Sequence, residues 1–187
     1  MTKTRVAAKI RCNAKLLQPA ESENGERWLF LVLPLNASAK LPSRSMTAVS
    51  GTMNGAPFHA CLEPDGQRSH WLKVKRSLYE AAAADAGDTV ALEIAPAGEE
   101  PEPEVPADLQ TILDADSKTE ACWSRLTAVA RRDWIQWITS AKRSETRTRR
   151  IENTSSMLAA GKRRVCCFDR SGIYSKGLSA PKAATPG

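Results

Sequence analysis

The sequence is short of the groups that most chemistry needs. Only two histidines, His59 and His70, occur in 187 residues, which restricts imidazole acid–base catalysis. Neither phosphate-binding glycine loop, GxxxxGKS/T or GxGxxG, is present, and Gly51-Thr52-Met53-Asn54-Gly55 has the wrong spacing for one. GxSxG and HExxH are missing too, so an ordinary hydrolase or kinase is not expected. Cysteine is sparse and odd in number: Cys12, Cys61, Cys122, Cys166 and Cys167 form no CxxC and no disulfide framework. No apolar run approaches the ~20 residues of a membrane-spanning helix. Met1-Thr2-Lys3-Thr4-Arg5 leads into alternating residues without an apolar leader, so the expected location is cytoplasmic. Without export, Asn36-Ala37-Ser38 and Asn153-Thr154-Ser155 are chance sequons.

What is present is unevenly distributed charge. Residues 1–96 carry 12 Lys/Arg against 9 Asp/Glu, residues 97–129 carry 2 against 8, and residues 130–187 carry 13 against 4. The overall +6 therefore hides an acidic connector and a strongly basic final third. Such asymmetry points to an anionic partner, or else to pairing within the fold.

Periodicity divides the chain. Val6, Ala8, Ile10, Cys12, Ala14 and Leu16 alternate with polar residues, which predicts a strand with one buried face. After turn residues at 21–25, residues 27–33 read as a strand buried on both faces, ended by Pro34. Residues 45–52 give a weaker strand. Asn54-Gly55 is a type I′ hairpin signal, because Asn and Gly best tolerate positive φ. Residues 57–62 return from it, Glu63-Pro64-Asp65-Gly66 turns again, and residues 69–74 form another strand. A short helix over 76–85 leads to a last alternating strand over 88–94. Six strands with tight turns and no βαβ pattern predict a closed or half-open antiparallel barrel.

Residues 97–105, rich in Pro and Glu, read as a linker. Beyond them the period becomes 3.6. Pro106 opens a helix to about residue 113, and Ser117 is the expected cap of a second to about 126. Thr127 is the expected cap of a third, with Ala130, Trp134, Trp137, Ile138 and Ala141 as its apolar stripe. Ser144 is the expected cap of a fourth, with Thr148, Ile151, Ser155 and Leu158 inside and Gly161 as its stop. The expected fold is α+β: a small six-stranded barrel with one short helix (1–96), a linker (97–105), a module of four helices (106–165) and a tail (166–187) disordered from Ala180.

Two stretches carry a family resemblance. The run Val49-Ser50-Gly51-Thr52-Met53-Asn54-Gly55-Ala56-Pro57-Phe58, with Ala86-Gly87-Asp88-Thr89-Val90, resembles a widespread bacterial domain of unknown function with a small β-barrel fold. Trp137-Ile138 followed by Ala141-Lys142-Arg143-Ser144-Glu145-Thr146-Arg147-Thr148-Arg149-Arg150-Ile151 resembles the YdeI/OmpD-associated, or bacteriocin-protection, family. Together the resemblances span residues 5–165. They imply a role in tolerance to bacteriocins or antimicrobial peptides and a porin connection, and they carry over no catalytic residue.

Lys142, Arg143, Arg147, Arg149 and Arg150 are the candidate anion-binding residues, with nucleic acid or an anionic surface as the expected partner. Lys162, Arg163 and Arg164 follow the same helix. The competing readings are a solvated face with Glu145–Arg149 paired, or arginines tied to Glu104, Asp108 or Glu145 inside the fold. A second constellation, His70 with Lys73 and Lys75, is the candidate pocket of an alternative reading: an enzyme acting on a small molecule at the barrel mouth. His59 and Cys61, two apart on one strand, could join His70 or Cys12 around a metal. Packing is the preferred account, and no metal or cofactor is expected. Cys166-Cys167, near Arg163, Arg164 and Arg170, has the charge to make a thiol reactive, but packing of residues 165–168 is again preferred. Trp28 and Trp71 are expected to pack in the barrel, and Trp134 and Trp137 among the helices. The expected function is a non-catalytic binding or adaptor protein.

Overall fold

The computed structural model describes residues 9–21, 27–98, 102–166 and 168–185. Val6, Ala8, the turn at 22–25, part of the linker and Cys167 lie outside the described residues. The chain divides into two units, Met1–Glu99 with Asp169–Gly187, and Glu100–Phe168.

In the first unit, alternation becomes a curled antiparallel sheet of six strands. They are β1 (Ile10–Lys15), β2 (Leu29–Val32), β3 (Thr47–Met53), β4 (Ala56–Pro64), β5 (His70–Val74) and β6 (Thr89–Pro96). Their order in the sheet is β1-β6-β3-β4-β5-β2. Inward residues of every strand meet in one core: Ile10 and Ala14, Leu29 and Leu31, Val49 and Met53, Leu62, Leu72 and Val74, and Val90, Leu92 and Ile94. Each such Leu, Ile or Val contributes about 1.5–3 kcal/mol over its exposed state. The sheet's two edges approach each other at one point. Leu16 still bonds to Asp88 and Gly87, whereas Leu17 exchanges both backbone hydrogen bonds with Phe30 of β2, at 2.7 and 2.9 Å. A strand that changes partner in this way leaves little open edge for aggregation.

The hairpin between β3 and β4 has positive φ at both Asn54 (47°) and Gly55 (87°), as its sequence predicts. Asn54 also ties the hairpin to β6. Its side-chain oxygen accepts from the Ala91 amide at 2.9 Å, and its amide group donates to the Ala82 carbonyl at 3.2 Å. The expected short helix is α2 (Arg76–Ala81), four residues shorter at its end than the period suggests. A further single turn, α1 (Leu35–Ser38), follows Pro34.

The second unit is four helices: α3 (Ala107–Ala115), α4 (Ser117–Ser124), α5 (Ala128–Thr139) and α6 (Ser144–Ala159). Leu109, Leu113, Trp123, Leu126, Trp134, Ile138, Ile151 and Leu158 form their shared core. Thr127 caps α5 by accepting from the Ala130 amide at 3.2 Å. Two expected caps are corrected. Asp116, not Ser117, caps α4, because its carboxylate reaches the amides of Lys118 and Thr119 (3.2 and 3.3 Å) and the Thr119 hydroxyl (2.5 Å). Arg143, not Ser144, holds the cap position of α6 and makes no side-chain cap. The inner face of α6 is likewise corrected: Thr154 is fully buried, while Thr148 is exposed.

The expected disorder from Ala180 is also corrected, as far as residue 185. Ala20 donates to the Lys182 carbonyl and Ala184 donates to the Gln18 carbonyl, both at 2.8 Å, around an antiparallel Pro19–Ala183 pair. Pro19 and Pro181 cost nothing in this short ladder, since neither contributes a required N–H there.

Candidate functional site

The basic candidates divide into two groups with different work. Arg147, in the first half of α6, makes a two-pronged ion pair with Asp108 of α3: its Nε donates at 2.6 Å and its Nη2 at 2.9 Å. The Arg147 hydrogen bonds hold the Asp108 carboxyl below its ordinary pKa. Arg150 lies against the end of α5. Its Nη1 donates to the Trp137 carbonyl and to the Ser140 hydroxyl (3.1 Å), and its guanidinium sits 5.2 Å from the Trp137 ring centroid. Burial, with help from nearby Arg149, lowers its pKa. It therefore shares with the Ser140 hydroxyl, which donates at 3.0 Å, a carbonyl at the end of α5. Both arginines belong to the internal framework of the module, which removes them from the set of freely available cations.

Lys142, Arg143 and Arg149 are exposed, and among the described residues their side chains make no hydrogen bond or ion pair. Glu145 and Arg149 are not paired, although their i, i+4 spacing permits it. Arg143 stands at the start of α6 and Arg149 six residues later, about 9 Å along the axis at 1.5 Å per residue. That axial separation slightly exceeds the Debye length of about 8 Å at physiological salt, so the charges reinforce one another chiefly at lower salt. Among the trailing cations, Arg163 donates to the Arg125 carbonyl at 3.2 Å.

His70, Lys73 and Lys75 do not converge. His70 is fully buried, on the inward side of β5 with Leu72 and Val74. Its Nε2 lies 3.0 Å from the Ser45 carbonyl, which can only accept, so Nε2 carries the hydrogen. Nδ1 then accepts from the buried Ser38 hydroxyl at 2.7 Å. Burial pushes the His70 pKa down and keeps the ring neutral, against smaller opposing effects of the Ser45 hydrogen bond and Asp65. A serine and histidine in this relation resemble a nucleophile and its base, but both are sealed from solvent. Lys73 projects from the other face of β5 and lies 4.6 Å from the Trp28 ring centroid. Lys75 is exposed at the start of α2. A cleft of about 420 Å³ on the first unit contains none of the three. Its charges are matched locally, Arg27 with Asp85 and Arg76 with Glu80.

The remaining candidates are also placed. Alternation along β4 turns Phe58, Ala60 and Leu62 inward, leaving His59 exposed and Cys61 half-buried on the outer side. Among the described residues, no three His, Cys, Asp or Glu gather in a way that could hold a metal. Cys166 is exposed, which corrects its expected burial, while Val165 packs on the helical core. Trp134 is fully buried and meets Trp137 edge-on at 6.0 Å. Trp28 and Trp71 are buried, but with Phe30 on the outer wall of the barrel rather than in its main core.

Comparison with protein families supports the same division as the contacts. Residues 13–94 match a domain of unknown function (DUF1905), and residues 102–161 match the family described as bacteriocin-protection, YdeI or OmpD-associated. The first range is thus similar to DUF1905 and the second to the YdeI/OmpD-associated family. A search of curated proteins finds no match. The range similar to DUF1905 contains the sealed Ser38–His70 pair, and the range similar to the YdeI/OmpD-associated family contains the basic corner at the start of α6. Residues 162–185, including the strap paired with Gln18–Ala20, lie beyond both matched ranges. Among the described residues, no helix is long and apolar enough to cross a membrane.

One feature escapes a reading of the sequence. Ser38 and His70 are 32 residues apart, and nothing local marks their pairing. The tie of Arg147 to Asp108, 39 residues away, is one of the internal pairings that the sequence leaves open.

Proposed function

We propose that this protein is a non-catalytic binding or adaptor protein whose basic corner, Lys142, Arg143 and Arg149, engages an anionic macromolecule. The observation behind this reading is that these three cations are exposed and, among the described residues, unpaired, while Arg147 and Arg150 tie α6 to its neighbours. Their mutual repulsion at a rigid corner is relieved by an approaching phosphate. The cellular output we attach to it is tolerance to bacteriocins, after the description of the family that residues 102–161 match. An enzyme built on His70, Lys73 and Lys75 is not favoured, since His70 is sealed and Lys73 faces the other way.

Binding of a fluorescent DNA duplex, measured from low to physiological salt, tests the reading. Three phosphate contacts at about −0.9 each give a log K against log salt slope of about −3. Discrimination among base sequences is expected to be weak, because phosphate contacts carry no base information. Joint replacement of Lys142, Arg143 and Arg149 by Gln should remove the salt-dependent binding and leave the melting temperature unchanged. Anionic lipid vesicles in a parallel titration distinguish a nucleic acid from a charged surface. Absence of binding to either at low salt refutes the proposal.

A further inference from the structure

The barrel closes at a narrow seam. β1 and β2 stand at the two ends of the strand order. Among the described residues, one bridge joins them, in which Leu17, running on from β1, and Phe30 of β2 exchange backbone hydrogen bonds of 2.7 and 2.9 Å. Two such bonds are a light hold, and a parted seam bares two strand edges.

Residues 169–185, which belong to the same unit as the barrel, touch both sides of that seam. On the β1 side, Ala20 donates to the Lys182 carbonyl and Ala184 donates to the Gln18 carbonyl, both at 2.8 Å, so residues 182–184 lie as a short antiparallel strand beside residues 18–20. On the β2 side, Ala180 packs with Phe30, with its neighbour Trp28 and with Trp71 of β5. Five residues thus reach from one edge of the sheet to the other, next to the single bridge.

The entry of this segment is fixed to the barrel. Leu178 lies between two glycines: a Cβ on Gly66, in the turn between β4 and β5, would come 2.3 Å from the Leu178 carbonyl oxygen, and one on Gly172 would come 2.7 Å from Leu178 Cβ. Both flanking turns are built on a carboxylate. Asp65 accepts from the amides of Gln67 and Ser69 at 2.7 and 2.8 Å. Asp169 accepts from the amides of Ser171 and Gly172 at 3.1 Å, from those of Tyr174 and Ser175 at 2.9 Å, and from the Ser171 hydroxyl at 2.7 Å. Against the upward push of burial, these bonds hold the Asp169 carboxyl well below the usual carboxylate range, so the loop keeps its charge and its shape into acid. An entry anchored in this way presents residues 180–184 to the seam at a high effective concentration, although few contacts hold them there.

We propose that residues 169–185 are a clasp that holds the barrel closed, and that the seam between β1 and β2 parts when they detach. The clasp lies beyond both matched ranges, so the barrel of this chain closes on a segment that follows the helical unit in sequence. It is separate from the basic corner and does not depend on it.

The test follows amide hydrogen exchange by NMR in the full chain, wild type against a variant carrying Ala180→Asp and Ala184→Pro. The first replacement puts a charge against the rings of Phe30 and Trp71, and the second removes the donor to Gln18. In the variant the Leu17 and Phe30 amides should exchange at least about tenfold faster, while the ladder between β3 and β6 keeps its wild-type protection. Unchanged exchange at Leu17 and Phe30, or an equal loss of protection across the whole sheet, overturns the proposal. If the variant does not fold, exchange in the wild-type chain decides. The Ala20 and Ala184 amides should then open together with those of Leu17 and Phe30, within about tenfold of one another and ahead of the β3–β6 ladder. Ready exchange at Ala20 and Ala184, beside Leu17 and Phe30 amides as protected as that ladder, overturns it as well.

Discussion

The buried His70 makes the barrel's stability depend on pH in a window where few other groups titrate. In the folded chain its ring is neutral, with Nε2 donating to Ser45 and Nδ1 accepting from Ser38. Burial lowers its pKa, so between the folded value and the unfolded value of about 6.5 the unfolded chain binds the extra proton. Stability contributed by the neutral ring is complete above about pH 6.5 and is lost progressively as pH falls below it, with a limiting slope of about 1.4 kcal/mol per pH unit. His59, exposed on β4, is the only other histidine, so the measurement belongs in a His59→Gln background. Urea unfolding followed through the amide signals of β3 and β6 should give free energies that decline from pH 7 to pH 5. Replacing His70 with Gln as well should cost about 2 kcal/mol at pH 8, from two hydrogen bonds made less well, and should flatten the pH dependence. A flat profile in the His59→Gln chain, or an unchanged slope after His70→Gln, refutes the account of a neutral buried ring.

Gly51→Ala should break the pairing of β3 with β6, because a Cβ at residue 51 would lie 2.0 Å from the Glu93 carbonyl oxygen and 2.8 Å from Ile94 Cα. Neither backbone atom can swing aside, so a cost of about 3 kcal/mol or more is expected, lowering the barrel's Tm by over about 10 °C; a Tm within about 3 °C of wild type contradicts it. In the helical module, Arg150→Gln should destabilise by about 2 kcal/mol through the lost Trp137 carbonyl contact and ring stacking, whereas Arg147→Gln should cost no more than about 1 kcal/mol because its pair with Asp108 is half-exposed. Neither change should alter the salt dependence of polyanion binding; a shallower slope in either would return that arginine to the binding surface.

The barrel was legible where one physical cause dominated. Val90, Leu92 and Ile94 alternate cleanly because one face of β6 is buried, and Asn54-Gly55 marks its turn because few residues tolerate that backbone. Residues 27–33 read as buried on both faces, which holds from Trp28 to Leu31 but not for the exposed Arg27: Leu29 and Leu31 enter the core while Trp28 and Phe30 build the outer wall. What local pattern could not supply was pairing at a distance. A stretch such as Ala180-Pro181-Lys182-Ala183-Ala184 has the composition of a disordered tail, yet a neighbouring edge at residues 18–20 gives its backbone partners. Caps failed for a related reason. Asp116 and Ser117 are both good N-cap types, and only the backbone conformation decides between them. The turn α1 and its Ser38 gave no signal because their role depends on His70, which comes from a strand far along the chain.

The candidate site shows why a charge count is a poor guide to a charged surface. Five cations within nine residues imply a strong field, but each must be discounted by what it touches. Arg147 is neutralised by Asp108, and Arg150 is spent on a helix end and an indole face. The same use of cations recurs in the barrel, where Arg27 lies 5.9 Å from the Tyr79 ring and Lys73 lies 4.6 Å from that of Trp28. Long basic side chains serve as packing surfaces as well as charges, because their stems are apolar and their heads favour aromatic faces. The discount at the start of α6 leaves three. Arg143 and Arg149 stand on one helix, so their spacing is set by its rise of about 1.5 Å per residue and not by the ties of Arg147 to α3 and Arg150 to α5. Those two arginines therefore belong to the packing of the module, and replacing either leaves the three exposed cations where they stand.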